Sequence, residues 1–406
     1  MRDAGTTRAV NALTRRWLDS PVGPDRGEGL FLAVGVWPLL ALLAAGAEGS
    51  ARTELAGALG LAELGVSPER AAARAAELVE DWRQLPGCEA ALGVWLAPGV
   101  EVEPSWRARL SPGDCQWLTG DRERDRKALD RWASTGTGGA VERMPVTPGR
   151  DTALVLASAL SVRTRWREPF APGWEPWTPT TGPWAGRTLA SLHRISSDPD
   201  QVSLAHTGEG PLTLVRVEGD TGVDVHLLLG PREWSARSVL SHGLEALAGD
   251  GPTTPGGELP EGEPGPGLWV GEVPGWDDAP RSELTTVPFT VTADLDLLAS
   301  PDTFGLESAR DHTSRPLPGI SRSVPLEVGA ARQAATASFS AEGFHTAAVT
   351  ALDAVAAGLP PATHRLVSAR CDRPFGFAAV HRGSGLVLAA GWVAEPEEFQ
   401  EPPEPD

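Results

Sequence analysis

Apolar residues recur along this chain with two periods, and the switches between them mark out its elements. Val10, Leu13 and Trp17 share a face at helical spacing, which predicts a helix over Ala9–Leu18 that stops before Pro21. Gly29–Ala47 carries no charge. Leu30–Val36 within it reads as a strand, and Pro38 opens a helix at the position that tolerates proline. The run is long enough to suggest a membrane span. The proline break, and the mixed charges of Asp19, Asp25 and Glu28 upstream, favour buried core instead. Thr53–Leu61 is helical, and Ser67-Pro68-Glu69 opens a further helix that runs past Trp82 to Gly87. Ala90–Leu96 reads as a strand, and Arg122–Ser134 as a charged helix with Leu129 and Trp132 on one side. Thr152–Val162 is nearly uncharged and fits a central strand covered on both faces. Leu212–Glu218 and Val223–Leu229 flank Gly219-Asp220-Thr221-Gly222, and Phe375–His381 and Leu386–Val393 flank Arg382-Gly383-Ser384-Gly385; both read as hairpins. Val239–Leu247 is helical, and Gln333–Phe339 can pair in a sheet. Strands and helices mix without regular alternation, which predicts an α+β fold.

Ser340–Pro361, S-A-E-G-F-H-T-A-A-V-T-A-L-D-A-V-A-A-G-L-P-P, stands apart: rich in small residues, almost free of charge, and set between strands. Two local readings remain open. As a helix, Phe344, Ala347, Ala348, Leu352 and Val355 share a face, with Gly358 as the stop. As a strand, Phe344, Thr346, Ala348, Thr350, Leu352 and Ala354 lie on one side, with His345 and Asp353 on the other. A long loop between sheet segments is usually functional or disordered.

Composition removes several function classes. A net charge of −19 argues against a nucleic-acid or anionic-membrane surface, since both need basic patches. Cys88, Cys115 and Cys371 are odd in number and lack metal-site spacing, so buried thiols in a reducing compartment are expected. With no secretory pattern at the start, a cytoplasmic location follows as an expectation. Asp250–Gly267 is a tract of Pro, Gly and Glu, expected as a surface insertion or linker too poor in apolar residues to pack. Residues 397–406 form an acidic, Pro-rich tail expected to be disordered. There is no G-x-S-x-G elbow, P-loop, H-E-x-x-H or strand-to-helix G-x-G-x-x-G. His226 and His242 have no second ligand at a useful spacing, and Glu261, Glu263, Asp277 and Asp278 read as solvated acids. Nothing nominates an enzyme, a cofactor or a metal.

Four ordered stretches carry a resemblance. The first is Leu39-Leu40-Ala41-Leu42-Leu43-Ala44-Ala45-Gly46-Ala47-Glu48-Gly49 with Thr53-Glu54-Leu55. The second runs from Trp132–Thr135, Gly138 and Val141 through Val155–Val162 to Trp166-Arg167-Glu168-Pro169-Phe170. The third combines Pro288-Phe289, Phe304-Gly305-Leu306 and Pro318-Gly319-Ile320-Ser321. The last is Asp372-Arg373-Pro374-Phe375-Gly376-Phe377 with Gly391-Trp392-Val393 and Pro396. Together they resemble the serpins, the serine protease inhibitor fold, in a divergent member of bacterial type, as one domain over residues 10–396.

The resemblance implies helices packed on a large mixed sheet, smaller sheets beside it, and a mobile reactive-centre loop at Ser340–Pro361. It implies a monomer that is bait for a serine protease: cleavage near Ala357–Gly358 lets the loop enter the main sheet as a new strand. The small residues Ala354–Ala357 suit an elastase-like or subtilisin-like partner. Glu342 and Gly343 match the hinge, which continues through Phe344, His345, Thr346, Ala347, Ala348 and Val349. Phe344 stands where the family has a small Thr or Ser. Its ring implies an overpacking cost of about 1–3 kcal/mol on entering the sheet. About a dozen new backbone hydrogen bonds, at roughly 0.5–1.5 kcal/mol each, exceed that. Trp166, Ser158 and Gln333 fall at the insertion site; the last two replace the family's Asn and His, and Leu32-Ala33 its Ser-Pro. A non-inhibitory serpin, an interaction or storage module on the same fold, is the alternative implied by Phe344.

Overall fold

The computed structural model of the chain describes all residues except 1–2, 25–26, 28, 112, 150–151, 174, 312, 345–361 and 401–406. The first part of the chain is mostly helical: α1 (Ala4–Leu18), strand β1 (Gly29–Phe31), α2 (Ala33–Ala44), α3 (Gly49–Ala58), α4 (Leu61–Leu64) and α5 (Pro68–Arg83). Then come β2 (Cys88–Leu96), α6 (Pro104–Arg107), β3 (Cys115–Trp117), α7 (Arg122–Gly136), β4 (Leu154–Val162) and β5 (Thr164–Arg165). The middle holds β6 (Ala171–Pro172), β7 (Leu192–Ser196), β8 (Val202–His206), β9 (Pro211–Val217), β10 (Val223–Leu229), α8 (Ala236–Leu247), β11 (Thr253–Pro255) and β12 (Leu268–Gly275). The last part supplies β13 (Arg281–Thr286), β14 (Phe289–Asp296), α9 (Pro301–Phe304), β15 (Ala330–Phe339), β16 (Gly343–Phe344), β17 (Ala362–Arg370), β18 (Phe375–His381) and β19 (Leu386–Val393).

These strands form three larger sheets. One has the order β1-β19-β18-β10-β9-β8-β11, a second β12-β17-β13-β7-β6, and the third β14-β15-β4-β2-β3; β16 pairs only with β5. The architecture is α+β, with helices on a large mixed sheet and smaller sheets beside it. Two polar caps behave as their spacing predicts: Ser67 Oγ accepts from the Arg70 N–H and Asp121 from the Arg124 N–H. The three cysteines are buried free thiols, with Cys88 and Cys371 each pushed up to about 12 by desolvation. Among the described residues no helix is long and apolar enough to cross a membrane, and no group of three or more His, Cys, Asp or Glu could hold a metal ion.

Three expectations need correction. The helix after β1 starts at Ala33, not Pro38, and Pro38 lies inside it. Every residue of α2 is buried, so packing outweighs the one hydrogen bond that proline forgoes. The tract 250–267 does pack. Thr253–Pro255 pairs with Ser203–Ala205 at a sheet edge, Leu259 is buried, and the Pro266 carbonyl accepts from Thr213 Oγ1. An edge strand needs backbone partners more than apolar side chains, so composition alone misread it. The tail begins docked as well: the Ala190 N–H donates to the Glu397 carbonyl, and the Phe399 N–H to the Thr188 carbonyl.

Candidate functional site

The five-stranded sheet has a seam. β15 runs parallel to β4, with Gln333 opposite Ser158, while β14 and β2 flank the two in antiparallel pairs. Leu154, Leu156, Leu160 and Val162 pack behind the sheet with α2. Val155, Ala157, Ala159 and Ala334 pack in front against Leu129 and Ala133 of α7. At mid-seam both polar side chains are fully buried: Gln333 Nε2 donates to the Leu32 carbonyl (3.0 Å) and to Ser158 Oγ (3.1 Å). Gln333 Oε1 has no partner. Gly35 makes room for this amide, because a Cβ there would lie 2.9 Å from Gln333 Nε2 and 2.3 Å from Leu160. Leu32 caps α2 without a side-chain hydrogen bond, so its carbonyl supplies the contact.

At the upper end of the seam the chain leaves β15 and turns back. The Ser340 N–H donates to the Gly343 carbonyl (2.9 Å), so the reversal falls at Ala341–Glu342. Gly343 then pairs with Arg165 and Phe344 with Thr164, antiparallel to the direction that β5 inherits from β4. Gly343 sits so close to β5 that a Cβ would meet the Thr164 carbonyl at 2.4 Å, which demands glycine here. Phe344 is 1% exposed, its ring edge-on to Phe377 at 6.0 Å.

Trp166 holds this turn. Its Nε1 donates to the Ser340 carbonyl (2.9 Å), and its backbone N–H to the Glu342 carbonyl (2.9 Å). Its ring lies 4.8 Å from Phe339 and 6.3 Å from Phe170, and the Phe170 N–H donates to the Ala341 carbonyl. Beneath Phe170 the Arg194 guanidinium stacks at 4.7 Å and donates to Gln201 Oε1. Burial lowers that guanidinium to about 10. The structure thus brings Trp166, Glu342, Gly343 and Phe344 together at one end of the seam and Ser158 with Gln333 at its middle. His345, Thr346, Ala347, Ala348, Val349, Ala357 and Gly358 lie outside the described residues.

The overpacking cost attached to Phe344 does not arise where the sequence put it. The ring is already housed in the uncleaved fold, beside the end of β15, because the turn at Ala341–Glu342 delivers it there. Sequence reasoning also missed the buttress. The β9–β10 turn reaches over β5: Thr221 Oγ1 donates to Thr164 Oγ1 (2.9 Å), Arg165 pairs with Asp220, and Gly219 bridges to Trp166. A strand pattern flanking Gly219–Gly222 announces a hairpin but not what the hairpin touches.

Comparisons with known proteins agree with this geometry. The profile of the serpin family (serine protease inhibitor) matches residues 24–174. The putative serpin-Z6C of rice, Oryza sativa subsp. japonica, is 27% identical over 399 residues, covering 91% of each chain. Serpin-Z2A of the same organism is 29% identical over 202 residues, and that match spans 47% of this chain and 44% of the relative. Among solved structures, a thyroxine-binding globulin complex with thyroxine superposes with a TM-score of 0.71 at 16% identity, covering 97% of this chain and 99% of that one. Native protease nexin-1 with heparin gives 0.70 at 15% identity, covering 97% and 98%.

Proposed function

Since this chain belongs to the serpin family, we propose that it inhibits a serine protease by offering residues 345–361 as bait. The observation that carries this reading is the antiparallel pairing of Gly343–Phe344 with β5, at the mouth of the parallel β4–β15 seam. A strand continuing from Phe344 runs opposite to both β4 and β15. Entering between them, it exchanges one parallel contact for two antiparallel ones, the slightly more stable pairing.

The chemistry is the protease's own. Its serine hydroxyl attacks the carbonyl of residue 357, the 357–358 peptide bond breaks, the amine of residue 358 leaves, and an ester joins the two proteins. Release from its distal anchor lets the loop enter the seam and carry the ester away from the protease's catalytic water. Insertion has to outrun deacylation. Pre-placement of Phe344 supports a fast start, because the first bulky side chain needs no further movement. Small residues at 354–357 suit an elastase-like or subtilisin-like partner, and the inhibitor works as a monomer in the cytoplasm.

The test is incubation with pancreatic elastase and with subtilisin. The expected result is a covalent complex stable in SDS, together with a cleaved form that melts well above the intact one. Clean cleavage within 345–361, with no complex and no gain in melting temperature, assigns the chain to the non-inhibitory, interaction-module reading.

A further inference from the structure

Five large apolar side chains among the described residues stand out in solvent: Trp117, Ile195, Trp269, Trp276 and Val324. Three of them gather on the sheet β12-β17-β13-β7-β6. Trp269 is in register with Ser368, Ser368 with Glu283, and Glu283 with Ile195, so the four form one row across four strands. Ser368 Oγ donates to Glu283 Oε2 at 3.1 Å, which fixes both on the same face. The other face is core, carrying Leu268, Val270, Val367, Ala369, Leu284 and Leu192. Nothing among the described residues covers the open face, which holds a depression of about 670 Å³ between Trp269, Leu366, Ser368 and Glu283.

The position of this face is informative. Gly275, the last residue of β12, is opposite Ala362, where the described chain resumes after residue 361. Trp276 follows at once and is 56% exposed. The open face therefore begins where the distal end of the bait is anchored. At roughly 3.4 Å per residue along a strand and 4.8 Å between strands, it runs about 24 Å from Trp276 to Trp269 and about 14 Å across to Ile195. A stable protein contact needs about 800 Å² per partner, more than one extended segment in a cleft supplies.

We propose that this sheet face, with Trp276 at its leading edge, is a second docking surface for the protease that cleaves 345–361. The inference rests on the bait reading above. Tryptophan is the side chain most enriched where binding energy concentrates. Exposed acids ring Trp276, namely Glu272, Asp277 and Asp278, and only Asp277 is matched in the structure's ion pairs, by Arg281 at 2.7 Å. The complementary partner presents an apolar patch with basic neighbours beside the primed side of its cleft.

The experiment compares the intact protein with Trp276→Ser and with Ile195→Ser/Trp269→Ser. All three side chains are exposed, so an unchanged urea midpoint verifies folding. The readout is the second-order rate of loop cleavage or complex formation by subtilisin and pancreatic elastase, with a peptide of residues 341–362 as reference. The protein is expected to react faster than the peptide. Trp276→Ser should slow the protein 5- to 20-fold while leaving the number of molecules consumed per protease unchanged. Rates equal to the parent in both variants overturn the docking surface and leave the bait reading intact. A parent that neither protease cleaves within 345–361 overturns the bait reading itself. A parent that self-associates, with variants that do not, gives the face to a second copy and overturns the proposal.

Discussion

The seven-stranded and five-stranded sheets share one molecule but are built on opposite plans. In the seven-stranded sheet every pair of neighbours is antiparallel. At its centre Leu227 faces Phe377, and Phe377 lies 5.0 Å from Phe289 in a run of aromatic contacts that also takes in Phe375 and Phe339. In the five-stranded sheet the middle joint is parallel. β15 brings to it Ala330, Ala331, Arg332, Gln333, Ala334, Ala335 and Thr336. Alanine loses little apolar contact when a strand moves, at about 25 cal/mol per Å² uncovered, and a buried amide with one unpartnered oxygen already weakens the joint. One sheet is made to stay closed, and the other has a line along which it can part.

The largest effect belongs to the closed sheet. Phe377→Ala should cost about 3–5 kcal/mol, the range for emptying a buried phenylalanine site. Urea unfolding of intact and loop-cleaved protein measures it, and both forms should lose equally. A loss confined to one form would show that this sheet also rearranges, and the contrast would fail.

Phe344→Thr probes the point where the two sheets meet, since Phe344 leaves the five-stranded sheet's end and packs on Phe377. A loss of about 2–3 kcal/mol is expected, smaller because a two-residue strand relaxes around the gap. With the ring already in place before cleavage, the loss should again be equal in both forms. An intact form that is unaffected, beside a weakened cleaved form, would mean that Phe344 moves on insertion.

How much of this was legible in the sequence differs between the two sheets. Hairpins β9–β10 and β18–β19 showed plainly, because alternation flanking a glycine-rich turn is a local signal. β4 was legible as a doubly covered strand, since all nine of its residues are apolar or small and all are buried. The seam was not derivable from pattern. Gln333 and Ser158 are 175 residues apart, and only family resemblance set them side by side. Pro38 misled because a rule about single hydrogen bonds was outweighed by the burial of a whole helix. Residues 250–267 misled because edge pairing is a backbone property that composition does not report.

Acid offers a third test of the contrast. His226 on β10 is held down to about 4 from the usual 6.5, chiefly by burial and only partly opposed by Asp224. It is neutral in the fold, while the unfolded chain takes up its proton below 6.5. Stability from this group is therefore complete above about pH 6.5 and is lost as pH falls toward 4. Given the ring's partial exposure, the loss should be about 2 kcal/mol. His226→Leu should flatten the dependence in urea titrations across that window. The strands of the five-stranded sheet carry no histidine, so acid should loosen the closed sheet and spare the seam. An unchanged pH slope in the variant would remove His226 from the account.

The smallest effect separates parting from staying closed. Ser158→Ala removes one hydroxyl from the seam and strands one N–H of Gln333, whose Oε1 is already unpartnered. The cost should be about 1 kcal/mol in the intact protein. If a strand enters between β4 and β15 after cleavage, Ser158 and Gln333 no longer touch, so the cleaved variant should unfold at the same urea concentration as the cleaved parent. An equal loss in both forms would mean that the bond survives cleavage. β4 and β15 would then still be neighbours, and the seam would be an ordinary parallel joint with a polar pair in it.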